Sequence, residues 1–294
     1  MNKTSSKQEL LNKLKPFNQE HLVKFWDELD VTQKEQLIDD LTQTDFLELN
    51  NYFKRVSLEK DQTVKQIDSL MKPVPNELKG SFEKSNKEQL SVYEAEGLKA
   101  ISKGQVAVLL LAGGQGTRLG VKYPKGMYSV DLLSGKSLYQ LQAERLIKIK
   151  QLAKKKFPTN TLPNDTSIPW YIMTSEHTQE STISYFKSKD YFGLDKENIV
   201  LFEQFMLPCL DQQGKIILDE KFKISKAPDG NGGLYKALLK RGILDDMNKR
   251  GIKYIHIYCV DNILVKLADP VFMGFCISKD ANCAAKVNKN DTYI

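Results

Sequence analysis

A glycine-rich turn followed by two cations is the stretch of this sequence best suited to chemistry. Residues 109–127 are LLLAGGQGTRLGVKYPKGM, an apolar run that stops at Gly113 and Gly114. Glycines allow backbone N–H groups to approach an anion closely. Arg118 and Lys125 follow, and two cations at one phosphate cluster would stabilise the charge that develops in phosphoryl or nucleotidyl transfer. The segment therefore predicts a phosphate-binding loop.

The spacing of these glycines excludes two familiar phosphate loops. Counted from Gly114, the dinucleotide pattern G-x-G-x-x-G would require glycine at the position of Leu119, and the P-loop pattern G-x-x-x-x-G-K-[ST] is absent. A plainer alternative is a tight strand-to-helix turn with solvated cations. That alternative accounts for the glycines but not for their density beside Arg118 and Lys125.

Strands and helices alternate around this loop. The run VAVLLLA at 106–112 is typical of a strand that is buried on both faces of a parallel sheet. Further strands are predicted at 168–175, 198–204 and 254–262, and helices at 137–155, 179–189 and 234–249. This alternation predicts an α/β fold whose open, mostly parallel sheet carries helices on both faces and binds ligands at the carboxyl ends of its strands.

The first third of the chain shows helical periodicity instead. Its clearest apolar face has residues at i, i+3, i+4 and i+7: Leu22, Phe25, Trp26 and Leu29. Thr32 and Glu35 have the spacing of a capping box and predict the start of the next helix. The chain is thus predicted to consist of a helical N-terminal region at 1–100 and an α/β part at 101–294.

Composition narrows the function classes. The formal net charge is +6, the basic residues are dispersed, and the run Lys154–Lys156 lacks interleaved aromatic residues, so nucleic-acid binding is not expected. Four cysteines without C-x-x-C spacing and three histidines indicate reduced thiols rather than a zinc site. The polar N-terminus and the lack of a long apolar stretch predict a cytoplasmic protein with no membrane contact. The sequence leaves the oligomeric state open.

The loop also resembles a known signature. L-A-G-G-x-G-T-R-L-G followed by Y-P-K-G-M is similar to the nucleotide-binding motif of sugar-nucleotide pyrophosphorylases, and GGQGTRLG resembles the eukaryotic UDP-N-acetylhexosamine pyrophosphorylases in particular. The similarity covers roughly residues 97–287 and continues through six further motifs: QAER (142–145), MTS (173–175), YFGL (191–194), MLP (206–208), APDGNGGLY (227–235) and YCVDNILVKLADP (258–270).

This resemblance implies a Rossmann-like nucleotidyltransferase sheet and a reaction. UTP and N-acetylglucosamine 1-phosphate would give UDP-N-acetylglucosamine and pyrophosphate, with residues 101–294 as the nucleotide-binding part of the catalytic domain. Arg118 would meet the triphosphate and Lys125 the reacting phosphates, which makes these two residues the implied catalytic pair.

The resemblance also implies the rest of the site. Gln204 matches the residue that reads uracil, and an amide supplies both the donor and the acceptor that this base requires. Asp261 is the implied ligand of Mg²⁺, a hard cation that prefers carboxylate oxygen; judged alone, it would be interpreted as a cap or turn residue. The other matched positions are Leu111, Ala112, Gly113, Gly114 and Gly230 for the nucleotide and Asn231 for the sugar.

Two departures from the family pattern affect these expectations. Phe205 stands where the pattern has glycine, and a bulky ring there would push Gln204 aside or force the loop onto a new path. The resemblance stops after Val287, so the C-terminal sugar-binding part and the C-terminal domain of the family are expected to be absent. Three hypotheses stay open: a working uridylyltransferase, a non-catalytic UTP-binding or regulatory fragment, and a UDP-glucose or broad UDP-sugar pyrophosphorylase. The choice between N-acetylglucosamine and N-acetylgalactosamine 1-phosphate is not decided.

Overall fold

The computed structural model describes residues 6–58, 69–131, 133–158 and 167–287. Its α-helices are α1 (Lys7–Leu14), α2 (Val31–Gln43), α3 (Phe46–Leu58), α4 (Lys87–Ser102), α5 (Leu138–Lys156), α6 (Gln179–Ser188), α7 (Gly233–Lys240), α8 (Ile243–Lys249) and α9 (Pro270–Ser278). Its strands are β1 (Val106–Leu111), β2 (Trp170–Thr174), β3 (Ile199–Glu203), β4 (Met206–Pro208), β5 (Leu218–Glu220), β6 (Lys223–Ile224), β7 (Lys226–Pro228) and β8 (Tyr254–Cys259).

The chain forms two compact units. One contains Met1–Pro73 with Met206–Asp229, and the other contains Val74–Phe205 with Gly230–Ile294. The boundary therefore differs from the one at residue 100 that the sequence predicts. The difference has a physical origin, because α4 carries apolar residues that join the core beneath the sheet, whereas the short strands β4–β7 belong to the unit of the N-terminal helices.

A four-stranded parallel sheet is the centre of the second unit. Its strand order is β3-β2-β1-β8, and Val108 of β1 pairs with Trp170 of β2 on one side and His256 of β8 on the other. The chain thus builds the sheet outward from β1 to β3 before it returns to the opposite side of β1. Such a change of direction is a topological switch point, where ligands bind in open α/β sheets.

Apolar side chains cover both faces of this sheet. Val108 and Leu110 of β1 join a cluster with residues of α4, α5, α6 and α9, whereas Ala107 and Leu109 join a second cluster with residues of α7 and α8. Alternate residues of a strand point to opposite faces, so β1 is buried on both faces up to the half-buried Leu111 at its end. The predicted α/β fold with helices on both faces is confirmed.

The other unit packs its helices around leucines of α1 and α2, but two local predictions for it are wrong. The face at residues 22–29 lies on two short 3₁₀ turns, Glu20–Val23 and Trp26–Glu28, and the chain is extended at Leu29 before the next cap. That cap is Asp30 rather than Thr32. Asp30 Oδ1 accepts a hydrogen bond from Gln33 N at 2.8 Å, and Asp30 N donates to Gln33 Oε1.

No helix within the described part of the chain is both long enough and apolar enough to cross a membrane. The cytoplasmic location stays a prediction.

Candidate active site

The carboxyl ends of all four parallel strands carry polar or glycine residues. Gly113 follows β1, Ser175 follows β2 and Gln204 follows β3. Asp261 lies two residues beyond the end of β8. Because parallel strands end at one edge of the sheet, these residues belong to the same crevice, and Gly113 and Asp261 flank the switch point between β1 and β8.

The loop after β1 folds back on itself. Gly116 N donates to Tyr123 O at 3.1 Å, and a 3₁₀ turn at Thr117–Leu119 closes the far end. The backbone of Arg118 lies in that turn, and its side chain lies outside what the structure describes. Among the described residues, neither Gly113 N–H nor Gly114 N–H reaches an acceptor, so two adjacent backbone donors are available at the end of β1.

Lys125 connects this loop to the end of β8. Its Nζ lies 2.8 Å from Oδ1 of Asp261, although the two residues are 136 positions apart in the sequence. A methyl group built on Gly114 would lie 3.9 Å from the same Nζ, so the ammonium group is also next to the glycine turn. The Lys125 side chain is 15% exposed and that of Asp261 is 69% exposed. The cation is thus held in place while the carboxylate stays open to solvent.

The backbone of Lys125 rests on an aromatic core. Lys125–Met127 forms a 3₁₀ turn in which Gly126 lies directly against the ring of Tyr139. Tyr139 is fully buried, and its ring centroid is 4.9 Å from that of Phe186 and 6.3 Å from that of Trp170. Since any side chain at 126 would overlap the Tyr139 ring, glycine is required there to bring Lys125 to its position.

Gln204 packs directly on the glycine turn. Its N–H donates to Thr174 O at 2.9 Å, and its amide covers Gly113 so closely that a methyl group built on Gly113 would lie 3.1 Å from Cδ and overlap the amide nitrogen. On the other side of the turn, Ser175 Oγ donates to Gly113 O at 2.8 Å. The ends of β1, β2 and β3 are therefore joined by direct contacts around Gly113.

Phe205 and Gln204 pack in different places. Gln204 is only 7% exposed, and the Phe205 ring joins the apolar cluster on the α7 side of the sheet. The ring centroid lies 4.8 Å from Cζ of Arg241 and 5.8 Å from Nζ of Lys236. The ring and the Gln204 amide therefore do not compete for the same space.

The remaining predicted residues differ in whether they adjoin the glycine turn after β1. Leu111 ends β1 half-buried, and the buried Ala112 donates its N–H to Met173 O at 2.8 Å. Gly230 and Asn231 form an exposed turn that begins α7. Within the described residues, that turn makes no hydrogen bond to the loop after β1. The structure thus joins Gly113 to Gln204 and Lys125 to Asp261, but not the Gly230–Asn231 turn to either pair.

Three contributors to the site were not predicted from the sequence. Ser175, Gly126 and Tyr139 hold the loop without reaching its open side. Ser175 and Gly126 lie inside motifs that the resemblance includes, MTS and YPKGM, which is the signal that marks them. Tyr139 carries no such signal, because a buried aromatic residue in a helix is an ordinary core residue.

The charges around Asp261 suit a hard cation. Among the described residues no group of three or more histidine, cysteine and acidic side chains could form a closed metal cage. Mg²⁺ is commonly held by one or two carboxylates together with waters and substrate phosphates, and an exposed single carboxylate meets that requirement. Burial raises the pKa of the neighbouring Cys259 thiol, and the Asp261 carboxylate raises it further, so this thiol stays neutral.

An open parallel sheet with a glycine loop, a lysine and a carboxylate at its switch point places the chain among the doubly wound α/β proteins. The family model of UTP–glucose-1-phosphate uridylyltransferase matches residues 46–292, and the chain belongs to this family. The resemblance detected in the sequence is thereby confirmed.

Individual proteins are similar to this chain over most of its length. The chain is 50% identical over 272 residues to the UDP-N-acetylhexosamine pyrophosphorylase-like protein 1 of Xenopus tropicalis, which covers 92% of this chain and 52% of that protein. It is 47% identical to the UDP-N-acetylglucosamine pyrophosphorylase of Saccharomyces cerevisiae over 71% of this chain and 42% of that protein.

A solved structure also matches. The uridine diphosphate N-acetylglucosamine pyrophosphorylase of Trypanosoma brucei superimposes with a TM-score of 0.77 at 29% identity, over 96% of this chain and 56% of that chain. The chain spans about half the length of the curated relatives it matches.

Proposed function

We propose that the chain binds UTP and N-acetylglucosamine 1-phosphate and takes part in uridylyl transfer, which gives UDP-N-acetylglucosamine and pyrophosphate. The names of the frog and yeast relatives support this substrate pair over glucose 1-phosphate. The observation that carries the proposal is the ion pair between Lys125 and Asp261 across the switch point, beside two backbone N–H groups that have no acceptor among the described residues.

The chemistry requires little covalent participation by the protein. In the proposed reaction a phosphate oxygen of the sugar phosphate attacks the α-phosphorus of UTP in line, and pyrophosphate leaves. The protein has to hold two polyanions together and to offset their charge. Gly113 N–H and Gly114 N–H would donate to the triphosphate, and Lys125 would contact the reacting phosphates from the same side. Arg118 stays the predicted second cation.

The ion pair explains how Lys125 keeps its place before the substrate binds. Without phosphates, the ammonium group is balanced by Asp261 at 2.8 Å. When the substrates bind, their phosphate oxygens would replace the Asp261 carboxylate as the partner of the Lys125 ammonium group. The carboxylate would then be free to bind another cation. We propose that Asp261 then holds Mg²⁺, which supplies charge neutralisation on the phosphates when it is bound.

Base and sugar recognition are assigned to the residues on either side. The Gln204 amide is fixed on Gly113 and would meet the uracil edge with one donor and one acceptor. Gly230 is proposed to contact the nucleotide and Asn231 the sugar, from the turn that begins α7. Leu111 and Ala112 would line the floor below the nucleotide.

The test is pyrophosphate release by the purified chain with UTP, N-acetylglucosamine 1-phosphate and Mg²⁺. Lys125→Ala should abolish release, whereas Lys148→Ala, an exposed lysine on α5, should leave it unchanged. Glucose 1-phosphate and N-acetylgalactosamine 1-phosphate are the comparison substrates. Equal or faster release with glucose 1-phosphate would contradict the assigned substrate.

Calorimetric titration with UTP separates the alternatives. UTP binding that is lost in Lys125→Ala, without pyrophosphate release, would identify the chain as a nucleotide-binding part that does not turn over alone. The absence of both UTP binding and release from folded protein would refute the proposed site.

A further inference from the structure

We propose that Phe205 is a positioning residue for Gln204: its ring, held by Arg241 and Lys236, fixes the turn after β3 and thereby keeps the Gln204 amide on Gly113. This inference deepens the proposed function, on which it rests, because it concerns how the uracil-reading amide is held. It also assigns a role to a residue that the family pattern does not predict.

Two cations face the Phe205 ring. Cζ of Arg241 is 4.8 Å from the ring centroid and Nζ of Lys236 is 5.8 Å from it, both within the range of about 6 Å in which a cation is attracted to an aromatic face. Lys236 lies on α7 and Arg241 directly follows that helix. The ring therefore connects the end of β3 to α7.

Arg241 also contacts the residue on the other side of Gln204. Its Nε donates to Glu203 O at 3.3 Å, and one of its terminal nitrogens lies 3.6 Å from the Glu203 carboxylate. One guanidinium group thus contacts the residues immediately before and after Gln204. Contacts on both sides of a single residue restrict rotation of its backbone, which a contact on one side would not do.

Phe205 and Gln204 are consecutive residues with separate contacts. Phe205 packs into the apolar cluster on the α7 side and the Gln204 amide lies on Gly113, so a shift of one residue moves the backbone that carries the other. The bond from Gln204 N to Thr174 O is the backbone contact at this point. Without the ring, this bond and the contacts of Arg241 with Glu203 would remain, but nothing would hold the residue on the other side of Gln204 to Arg241.

The experiment compares nucleotide selectivity and amide exchange. Phe205→Leu keeps an apolar side chain but removes the aromatic face, Phe205→Trp restores that face, and Tyr235→Leu is the matched control because Tyr235 is an aromatic residue of α7 that is 71% exposed. Each cation–π contact at a partly exposed site amounts to a factor of about two to five in an equilibrium constant, so two contacts together amount to about tenfold.

Phe205→Leu should therefore weaken UTP binding about tenfold and leave CTP binding unchanged, with recovery in Phe205→Trp. In the protein without nucleotide, hydrogen exchange at the Gln204 backbone N–H, which donates to Thr174 O, should accelerate by a similar factor. If Phe205→Leu is not folded, Arg241→Met removes one cation and should give about a threefold effect in the same direction.

Unchanged UTP-to-CTP selectivity together with unchanged exchange at Gln204 would overturn the inference. Equal losses for UTP and CTP would also overturn it, because they indicate general loosening rather than placement of a base-reading amide. If the unaltered chain binds no UTP, the proposed function fails, while faster exchange at Gln204 in Phe205→Leu would still support the positioning role and unchanged exchange would refute it.

Discussion

A substitution at Gly126 tests whether the aromatic core sets the position of Lys125. In Gly126→Ala, the new methyl group would lie 2.1 Å from Cζ of Tyr139. The ring has no exposed surface and is packed edge-on against Phe186 and Trp170, so it cannot move aside without displacing other core residues. The backbone turn that carries Lys125 would have to shift instead.

The size of the effect follows from two opposing contributions. Forcing an extra methyl group into a well-packed core costs up to about 3 kcal/mol, and a contact this short with a rigid ring lies at the upper end. Replacing glycine by alanine restricts the unfolded chain and returns about 0.4–1 kcal/mol. We therefore expect Gly126→Ala to lower the free energy of unfolding by about 2 kcal/mol, which is a factor of about 30 in the folding equilibrium.

The assay is urea unfolding followed by tryptophan fluorescence. The chain has two tryptophans, Trp26 and Trp170, and they lie in different compact units. A Trp26→Phe background makes the fluorescence report on buried Trp170 and therefore on the unit that contains Gly126. Gly232→Ala is the matched control because a methyl group there would meet nothing within 4 Å, and it should leave the free energy of unfolding unchanged or raise it by up to about 1 kcal/mol.

A double-mutant cycle tests whether the contact with Tyr139 causes the loss of stability in Gly126→Ala. Tyr139→Leu removes the ring, so Gly126→Ala in that background should cost less than about 0.5 kcal/mol. If Gly126→Ala costs the same with and without the ring, the loss does not come from the Tyr139 contact. The assigned role of Gly126 in positioning Lys125 would then be wrong.

Three further predictions concern the same unit. Ser175→Ala leaves the Gly113 carbonyl without its donor and should lower the free energy of unfolding by about 1–3 kcal/mol, whereas Ser188→Ala, at an exposed helix end, should have little effect. Burial raises the pKa of Tyr139 from 10.0 to about 12. The folded protein therefore keeps this proton more tightly than the unfolded chain, and stability, complete below about pH 10, should fall by about 2–3 kcal/mol as the pH approaches 12. Urea unfolding across this pH range should show the fall. Tyr139→Phe should remove this share of it, whereas burial also raises the pKa values of Tyr171 and Tyr258, whose shares should persist. Asp261→Asn should abolish the Mg²⁺ dependence of UTP affinity, measured with the cation and with a chelator; an unchanged dependence would contradict the assigned metal ligand.

Much of the site's location follows from the sequence because parallel strands have a common direction. Once VAVLLLA is interpreted as a strand buried on both faces, the glycines after it must lie at the carboxyl edge of the sheet. The residues after the other predicted strands, Gln204 and Asp261 among them, must lie at the same edge. That inference requires only the order of elements along the chain.

The contacts within the crevice could not be predicted from the sequence, because they depend on the order of the strands in the sheet. Lys125 and Asp261 are 136 residues apart in the sequence, and they meet at 2.8 Å only because β8 lies beside β1. Nothing in the local pattern of either strand specifies that neighbour. The same holds for Gly126, whose need to be glycine is set by Tyr139 on another element.

Local patterns also failed where two of them compete. Asp30 with Gln33 and Thr32 with Glu35 both have capping-box spacing within six residues. Asp30 is the cap because an aspartate is the stronger acceptor at this position and Leu29 before it is extended. Pattern alone ranks the two candidates equally, so a prediction of helix bounds at this point can be wrong by two residues.

Contacts from three sides hold the glycine loop in place. Gln204 covers Gly113 on one side, Ser175 holds its carbonyl group, and Tyr139 supports the turn that carries Lys125. Among the described residues, the Gly113 and Gly114 N–H groups have no acceptor, and the Lys125 ammonium group lies next to Gly114. A loop that is already held in this arrangement loses little conformational freedom when an anion binds, so more of the interaction energy contributes to affinity and alignment.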